Sequence, residues 1–106
     1  MLTDSDAPDP RQSSSQEEFV TQLRRLKAWS GLSYRKLEQR AAAAGDQLPK
    51  STLVTVLSRN TLPREEVIVA FVRACGFPQE TVAQWTAVRR RLAMAAVPPA
   101  GGAASN

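Results

Sequence analysis

Three glycines and three prolines divide the 106 residues of this chain into short segments of helical periodicity. Glycine often ends a helix in the left-handed conformation, and proline is favoured at the first helical position. The six residues are Gly31, Gly45, Pro49, Pro63, Gly76 and Pro78. Between them, apolar residues recur at spacings of three and four, which is the period of one helical face. The sequence therefore predicts short helices joined by tight turns, and it contains no strand signal.

Serine caps refine the predicted helix starts. Ser15-Gln16-Glu17-Glu18 has the form of a capping box, in which the serine hydroxyl accepts from a free amide and Glu18 reaches back to the cap. Ser33 is the cap candidate for the second helix. The fourth segment is apolar on nearly every side, which predicts a central, buried helix. The predicted helices cover residues 16–30, 34–44, 49–59, 63–75 and 78–93.

The two ends of the chain have compositions that oppose folding. Residues 1–14 are rich in Asp, Ser and Pro, and the last residues are mostly Ala, Gly and Pro, so neither end buries enough apolar surface to offset the entropy of ordering. We therefore expect a disordered acidic N-terminal tail over 1–14, one domain over 15–94, and a flexible C-terminal tail or linker over 95–106. The expected fold class is all-α, a compact bundle of about five short helices.

Charge is distributed unevenly along the chain, whose net charge is +4. Residues 1–18 contain one base and five acids, whereas residues 19–92 contain thirteen bases and five acids. A basic body behind an acidic tail is typical of proteins that bind polyanions. It is also found in many ribosomal and merely soluble basic proteins, so charge alone does not identify the function.

The absence of histidine excludes several classes of function. It removes Ser–His and Cys–His nucleophile pairs and most zinc sites, and the chain has no glycine-rich phosphate loop. We expect no catalytic residue, no metal and no cofactor, and hence no enzyme. Cys75 is the single cysteine and is expected to be a small buried group. With no apolar run near ~20 residues and no signal-peptide pattern, we expect a cytoplasmic protein that is not in a membrane.

The third predicted helix has an outer face suited to a DNA groove. Leu53, Val56 and Leu57 are predicted to face the core. The opposite face is small, polar and cationic, and consists of Lys50, Ser51, Thr52, Thr55, Ser58 and Arg59. A helix fits the major groove only if its outer face lets the backbone come close and offers donors to phosphates and base edges.

The runs GLSYRKLEQRA, LPKSTL and LPREEVIVAFVRACGF resemble the XRE-type, lambda-repressor-like helix-turn-helix domain, and LKAWSGLSYRKLE and FVRACG are similar to its actinobacterial versions. The resemblance covers about residues 17–93. It implies a transcriptional regulator, associated with the nucleoid, whose third helix enters the major groove of double-stranded DNA. The implied base-edge or groove residues are Lys50, Ser51, Thr52 and Thr55. The implied phosphate-backbone residues are Tyr34, Arg35, Ser58 and Arg59.

Three features depart from the family pattern. Tyr34 stands where the family usually has Gln or Glu after the cap of the second helix. The link AAAAGDQL between the second and third helices is several residues longer than the usual tight turn. The outer face of the third helix also lacks Gln and Asn, whose amides make bidentate contacts with bases. The expected consequence is either weak readout of the base sequence or readout that depends on backbone contacts and DNA shape.

The fifth predicted helix supports a second hypothesis. Its narrow apolar stripe consists of Val82, Trp85, Val88 and Leu92. Such a stripe serves internal packing, a homodimer seam or the docking of a partner protein. The alternative function is therefore a protein-interaction adaptor that keeps the helix-turn-helix fold and docks its partner through helix 78–93. The adjacent triplet Arg89-Arg90-Arg91 either favours the negative helix end or forms a second phosphate patch.

Overall fold

The computed structural model describes residues 7–96 of the chain. This part contains a 3₁₀ turn and five α-helices, and no strand. The 3₁₀ turn is Pro10–Gln12, and the helices are α1 (Gln16–Ser30), α2 (Tyr34–Ala43), α3 (Lys50–Ser58), α4 (Glu65–Ala74) and α5 (Gln79–Ala96). The predicted all-α bundle of five short helices is confirmed.

The predicted caps begin α1 and α2. The Ser15 hydroxyl accepts from the Glu18 amide at 3.1 Å, and Ser33 caps α2 in the same way. The Glu18 carboxylate differs from the prediction, because it accepts from the amide and hydroxyl of Ser14 at 2.7 and 2.6 Å and not from Ser15. These bonds stabilise the charged form and hold the pKa of Glu18 below its usual value. Gly31, with φ 71°, ends α1 in the left-handed conformation as expected.

The core is built around α4, which packs against α2 on one side and α5 on the other. Its buried side chains are Ile68, Ala70, Phe71, Val72 and Ala74. Helix α1 closes the bundle through two aromatic pairs. Phe19 meets Trp85 edge-on with 5.6 Å between ring centroids, and Trp29 stacks on Phe77 at 5.1 Å. Trp85 therefore joins α5 to α1, and Trp29 joins α1 to the turn between α4 and α5.

Helix α4 begins later than the sequence predicts. Pro63 was the expected first residue, but the helix begins at Glu65 with Arg64 as its N-cap. Pro63 is buried, and its carbonyl accepts from the Arg89 Nε at 2.6 Å. A long-range contact therefore fixes the loop before α4. Local sequence signals for a helix start carry no information about such a contact.

The partner-face interpretation of α5 is wrong. Its four apolar residues are between 1% and 5% exposed, namely Val82, Trp85, Val88 and Leu92. They are covered because α5 packs its apolar stripe against α4 and α1, leaving no surface there for a partner or a second copy. The stripe is part of the hydrophobic core, so a protein could dock on it only after the domain had opened.

The three arginines of α5 have acceptors within the chain. Arg89 donates to the Pro63 carbonyl, Arg90 forms a two-bonded pair with Glu65 at 2.9 Å, and Arg91 donates to the Ser13 carbonyl at 2.6 Å. These contacts favour a structural role over the phosphate-patch interpretation, because each guanidinium already ties α5 to a neighbouring segment.

The segment before α1 differs from the expected disordered tail. Residues 7–14 lie against α5, with Pro10 and Ser13 buried. The Arg91 guanidinium reaches the Ser13 carbonyl from 78 positions along the chain. Composition does not reveal a contact of this kind.

Helix α5 continues to Ala96, two residues beyond the expected domain end. Residues 1–6 and 97–106 of the expected tails lie outside the described residues.

Cys75 is a half-buried group at the end of α4 that packs against the core. Burial raises the pKa of its thiol to about 11. The thiol is therefore protonated at neutral pH and lacks the thiolate that redox chemistry requires. This is consistent with a packing role for the single cysteine.

Candidate nucleic-acid interface

Helix α3 is held by two buried leucines and turns one narrow face to solvent. Leu53 and Leu57 are 0% and 6% exposed and pack into the core. The opposite face carries four exposed residues at positions i, i+3, i+4 and i+7, which we call the outer stripe: Ser51, Val54, Thr55 and Ser58. All four side chains are short, so a ligand on this face can approach the backbone of α3 closely.

The outer stripe offers hydroxyl groups for pairing. Ser58 Oγ donates to the Thr55 carbonyl at 2.9 Å, so its proton is already engaged while its oxygen can still accept. The hydroxyls of Ser51 and Thr55 form no hydrogen bond with any described residue. Each can therefore donate to or accept from a ligand, and the stripe itself carries no charge.

Cations border the outer stripe. Lys50 is exposed at the start of α3, Arg59 is exposed at its end, and Arg64 is exposed beyond the following turn. No acid occurs anywhere between Asp46 and Glu65. None of these three cations takes part in a salt bridge among residues 7–96. The rim is therefore positive and its charges are available to an anion.

A hollow of about 200 Å³ lies between α3 and the start of α4. Its lining brings together three of the predicted site residues, Thr52, Thr55 and Arg59, with Arg64 on the opposite side. Thr52 was expected on the outer face but is half-buried here, because its side chain lies towards the hollow and α4. It therefore belongs to the edge of the face rather than to its centre.

Helix α2 packs directly against α3 and supplies the other predicted residues. Arg35 is exposed, whereas Tyr34 is half-buried and has the Lys27 ammonium 4.4 Å from its ring centroid. The Glu38 carboxylate accepts from the Lys50 backbone amide at 3.4 Å. A negative charge is favourable at the start of a helix, so this contact links the two helices at the positive end of α3.

The long link between α2 and α3 is fixed to the body of the domain. Leu48 is 2% exposed and belongs to the core. The Asp46 amide donates to the Ala41 carbonyl at 2.8 Å, and the Asp46 carboxylate pairs with Arg73 of α4 at 3.5 Å. The extra residues therefore form an anchored connection.

Arg24 of α1 is a residue that the sequence did not single out. Its Nε donates to the Leu57 carbonyl at 2.6 Å, and its terminal nitrogen reaches the Asn60 side-chain oxygen at 3.1 Å. The guanidinium thus caps the carbonyl end of α3, where positive charge is favourable. No local signal indicates this contact, because the partners are 33 and 36 residues apart in the chain.

Removing this cap is expected to loosen α3. We expect Arg24→Ala to lower the free energy of unfolding by about 1–2 kcal/mol, because a charge-assisted bond to a partly buried carbonyl is lost. Urea unfolding followed by circular dichroism measures the change. Arg25→Ala is the matched control, since it removes the neighbouring exposed arginine of α1. Equal losses in the two variants would show that the cap does not stabilise α3.

One of three comparisons with known proteins found a match. A family model described as a helix-turn-helix domain matches residues 18–85, a span from the first turn of α1 into α5 that includes all of α2 and α3. No curated protein and no solved structure matches the chain.

Among residues 7–96, no helix is long and apolar enough to cross a membrane. In the same residues, no group of three or more acidic, histidine or cysteine side chains is placed to hold a metal ion.

Proposed function

Since the chain belongs to the helix-turn-helix domain family, we propose that it is a DNA-binding transcriptional regulator, or the DNA-binding module of one. In this proposal, α3 lies in the major groove of double-stranded DNA. The observation that carries it is the outer stripe, a face of four short uncharged side chains on a helix bordered by cations that form no salt bridge within residues 7–96.

The chemistry of the outer stripe suits the floor of the major groove. Base edges there present donors and acceptors, and the hydroxyls of Ser51 and Thr55 can match either. Because no side chain on the stripe is long, the helix backbone can descend far enough for these hydroxyls to reach the bases. Ser58 is limited to accepting, since its proton is held by the Thr55 carbonyl.

The rim of the face suits the phosphates that border the groove. Lys50 lies at the positive end of the α3 dipole, where its own charge is unfavourable, and a phosphate would relieve that repulsion. Arg59 at the other end of α3 and Arg35 in the first turn of α2 would contact the backbone on either side. Half-buried Tyr34, beside the Lys27 ammonium, would add a phenol donor to the same row.

This function is a binding function and requires no chemistry at the site. A protein that occupies chromosomal DNA must share its compartment, which for the expected bacterial source is the cytoplasm. On a symmetric operator, two copies would occupy half-sites about one helical turn apart.

Titration of the full chain against a random pool of double-stranded DNA tests the proposal. Fluorescence polarisation at low and at near-physiological salt gives the affinity, and sequencing of the bound fraction gives the preferred site. With Arg35, Lys50 and Arg59 each neutralising one phosphate, we expect a log–log salt slope of roughly −3 and enrichment of one motif. Salt-dependent binding without enrichment would contradict a regulator, and an absence of binding at low salt would contradict any DNA-binding role.

A further inference from the structure

We infer that Val54 is a specificity-determining residue, which makes α3 select duplex DNA carrying a thymine methyl group at the centre of its contact. This inference rests on the proposed function and names the base that the same face prefers. Val54 is not among the residues that the sequence predicts for this face.

Val54 is unusual in its exposure. Among residues 7–96, only two large hydrophobic side chains are strongly exposed, Val54 at 41% and Met94 at 76%. Met94 lies near the end of α5, whereas Val54 lies on the nine-residue helix α3, inside the outer stripe. Its neighbours on that face are Ser51 one turn before, Ser58 one turn after, and Thr55 beside it.

The position of Val54 restricts what it can touch in a groove. Its neighbours on the stripe are hydroxyl residues that can pair with base donors and acceptors, but its own two methyl groups cannot. Against an amino group or a carbonyl, the valine would remove water from a polar atom and supply no hydrogen bond in return. The C5-methyl of thymine is the apolar group that the standard base pairs present in the major groove. An A·T pair therefore offers Val54 an apolar contact in the major groove through its thymine methyl group.

The charges around Val54 favour DNA over a protein as the occupant of this face. Lys50, Arg59 and Arg64 border the stripe, and no acid occurs in residues 47–64. Duplex DNA matches both properties of the face, because its phosphates pair with the cations and a thymine methyl in its major groove can contact the valine.

Replacement of thymine by deoxyuridine isolates the methyl group, because it removes that group and leaves base pairing intact. The duplex selected from a random pool is made again with each thymine replaced singly, and its affinity for the full chain is measured by fluorescence anisotropy. We expect one replacement to weaken wild-type binding by about fourfold, the effect of one buried methyl. Val54→Ala should bind the thymine duplex about as weakly as the wild type binds that deoxyuridine duplex, and should lose little further on replacement.

Met94→Ala is the control, since it removes the other exposed apolar side chain from a different helix and should keep the fourfold sensitivity. Unchanged melting temperatures would show that both variants fold. Equal sensitivity of the wild type and Val54→Ala to deoxyuridine would overturn the inference, as would an enriched site without thymine or a wild type indifferent to the methyl. In these cases motif enrichment and the salt slope would still uphold the proposed function. Failure to bind any duplex would overturn both.

Discussion

Replacing both Lys50 and Arg59 by alanine is expected to weaken DNA binding by about 10- to 100-fold at near-physiological salt. The two cations lie at opposite ends of α3, and neither the Lys50 ammonium nor the Arg59 guanidinium forms a salt bridge among the described residues. Each is expected to neutralise one phosphate, so the log–log salt slope should also become shallower by about 2. Fluorescence polarisation over a salt series measures both quantities.

A control for this double variant must remove the same charge from elsewhere. Arg11 and Arg25 both line the cleft between the N-terminal segment and helices α1 and α5. The variant Arg11→Ala with Arg25→Ala therefore has the same net charge as the test variant but an intact α3 rim. We expect its affinity to stay within about threefold of the wild type, the loss due to long-range attraction alone. Equal losses in the two double variants would mean that the α3 cations have no special role.

Trp85→Ala is expected to destabilise the domain by about 3–5 kcal/mol, the usual cost of removing a large aromatic side chain from a core. The indole is 1% exposed and packs edge-on against Phe19 at 5.6 Å. For a domain of this size, the loss should lower the melting temperature by at least about 12 °C. Urea denaturation and thermal melts followed by circular dichroism measure the change.

The Trp85 variant also tests by experiment that the α5 stripe is part of the core. On the adaptor hypothesis, Trp85 would face a partner, and its removal would leave the domain stable. Met94→Ala is the matched control on the same helix, because the methionine is 76% exposed and its loss should change the stability by less than about 0.5 kcal/mol. A Trp85→Ala domain as stable as the Met94→Ala domain would contradict the buried position of the tryptophan.

The features that sequence predicted well depend on neighbours within a turn or two. Ser15 and Ser33 as caps and Gly31 as a terminator are local signals, since their hydrogen bonds and φ values involve residues within about four positions. The buried character of α4 follows from apolar residues on nearly all its faces. These signals are sufficient for the number and type of the helices.

The features that sequence could not predict depend on contacts between distant segments. A period of three and four shows that one side of α5 is apolar, but it does not show whether that side meets α4 or a partner. Helix α3 illustrates the same limit. Apolar residues occupy four of its nine positions, 53, 54, 56 and 57. Together they span a wider face of the helix than the face that the core buries. Only the packing of α2 and α1 against the helix, with the hollow before α4 beside it, leaves Val54 outside and Thr52 half-buried.

The sequence therefore predicted the kind of side chain exposed on α3 better than it predicted which individual residues lie at the candidate site. A short, cationic face on α3 was expected, and Lys50, Ser51 and Thr55 are exposed there. Val54 was omitted because an exposed valine carries no polar signature. Arg24 was omitted because its role exists only when α1 lies beside the end of α3.

Nuclear magnetic resonance titration of the isotope-labelled full chain with the selected duplex tests most directly whether α3 contacts DNA. Backbone amide shifts report on every non-proline residue at once and need no substitution. We expect the largest changes over α3 and at the start of α2, centred on Ser51, Val54, Thr55 and Arg35, with α5 nearly unchanged. Changes concentrated in α5 or in residues 7–14, with the outer stripe unmoved, would contradict the assignment of α3 as the DNA-contacting helix.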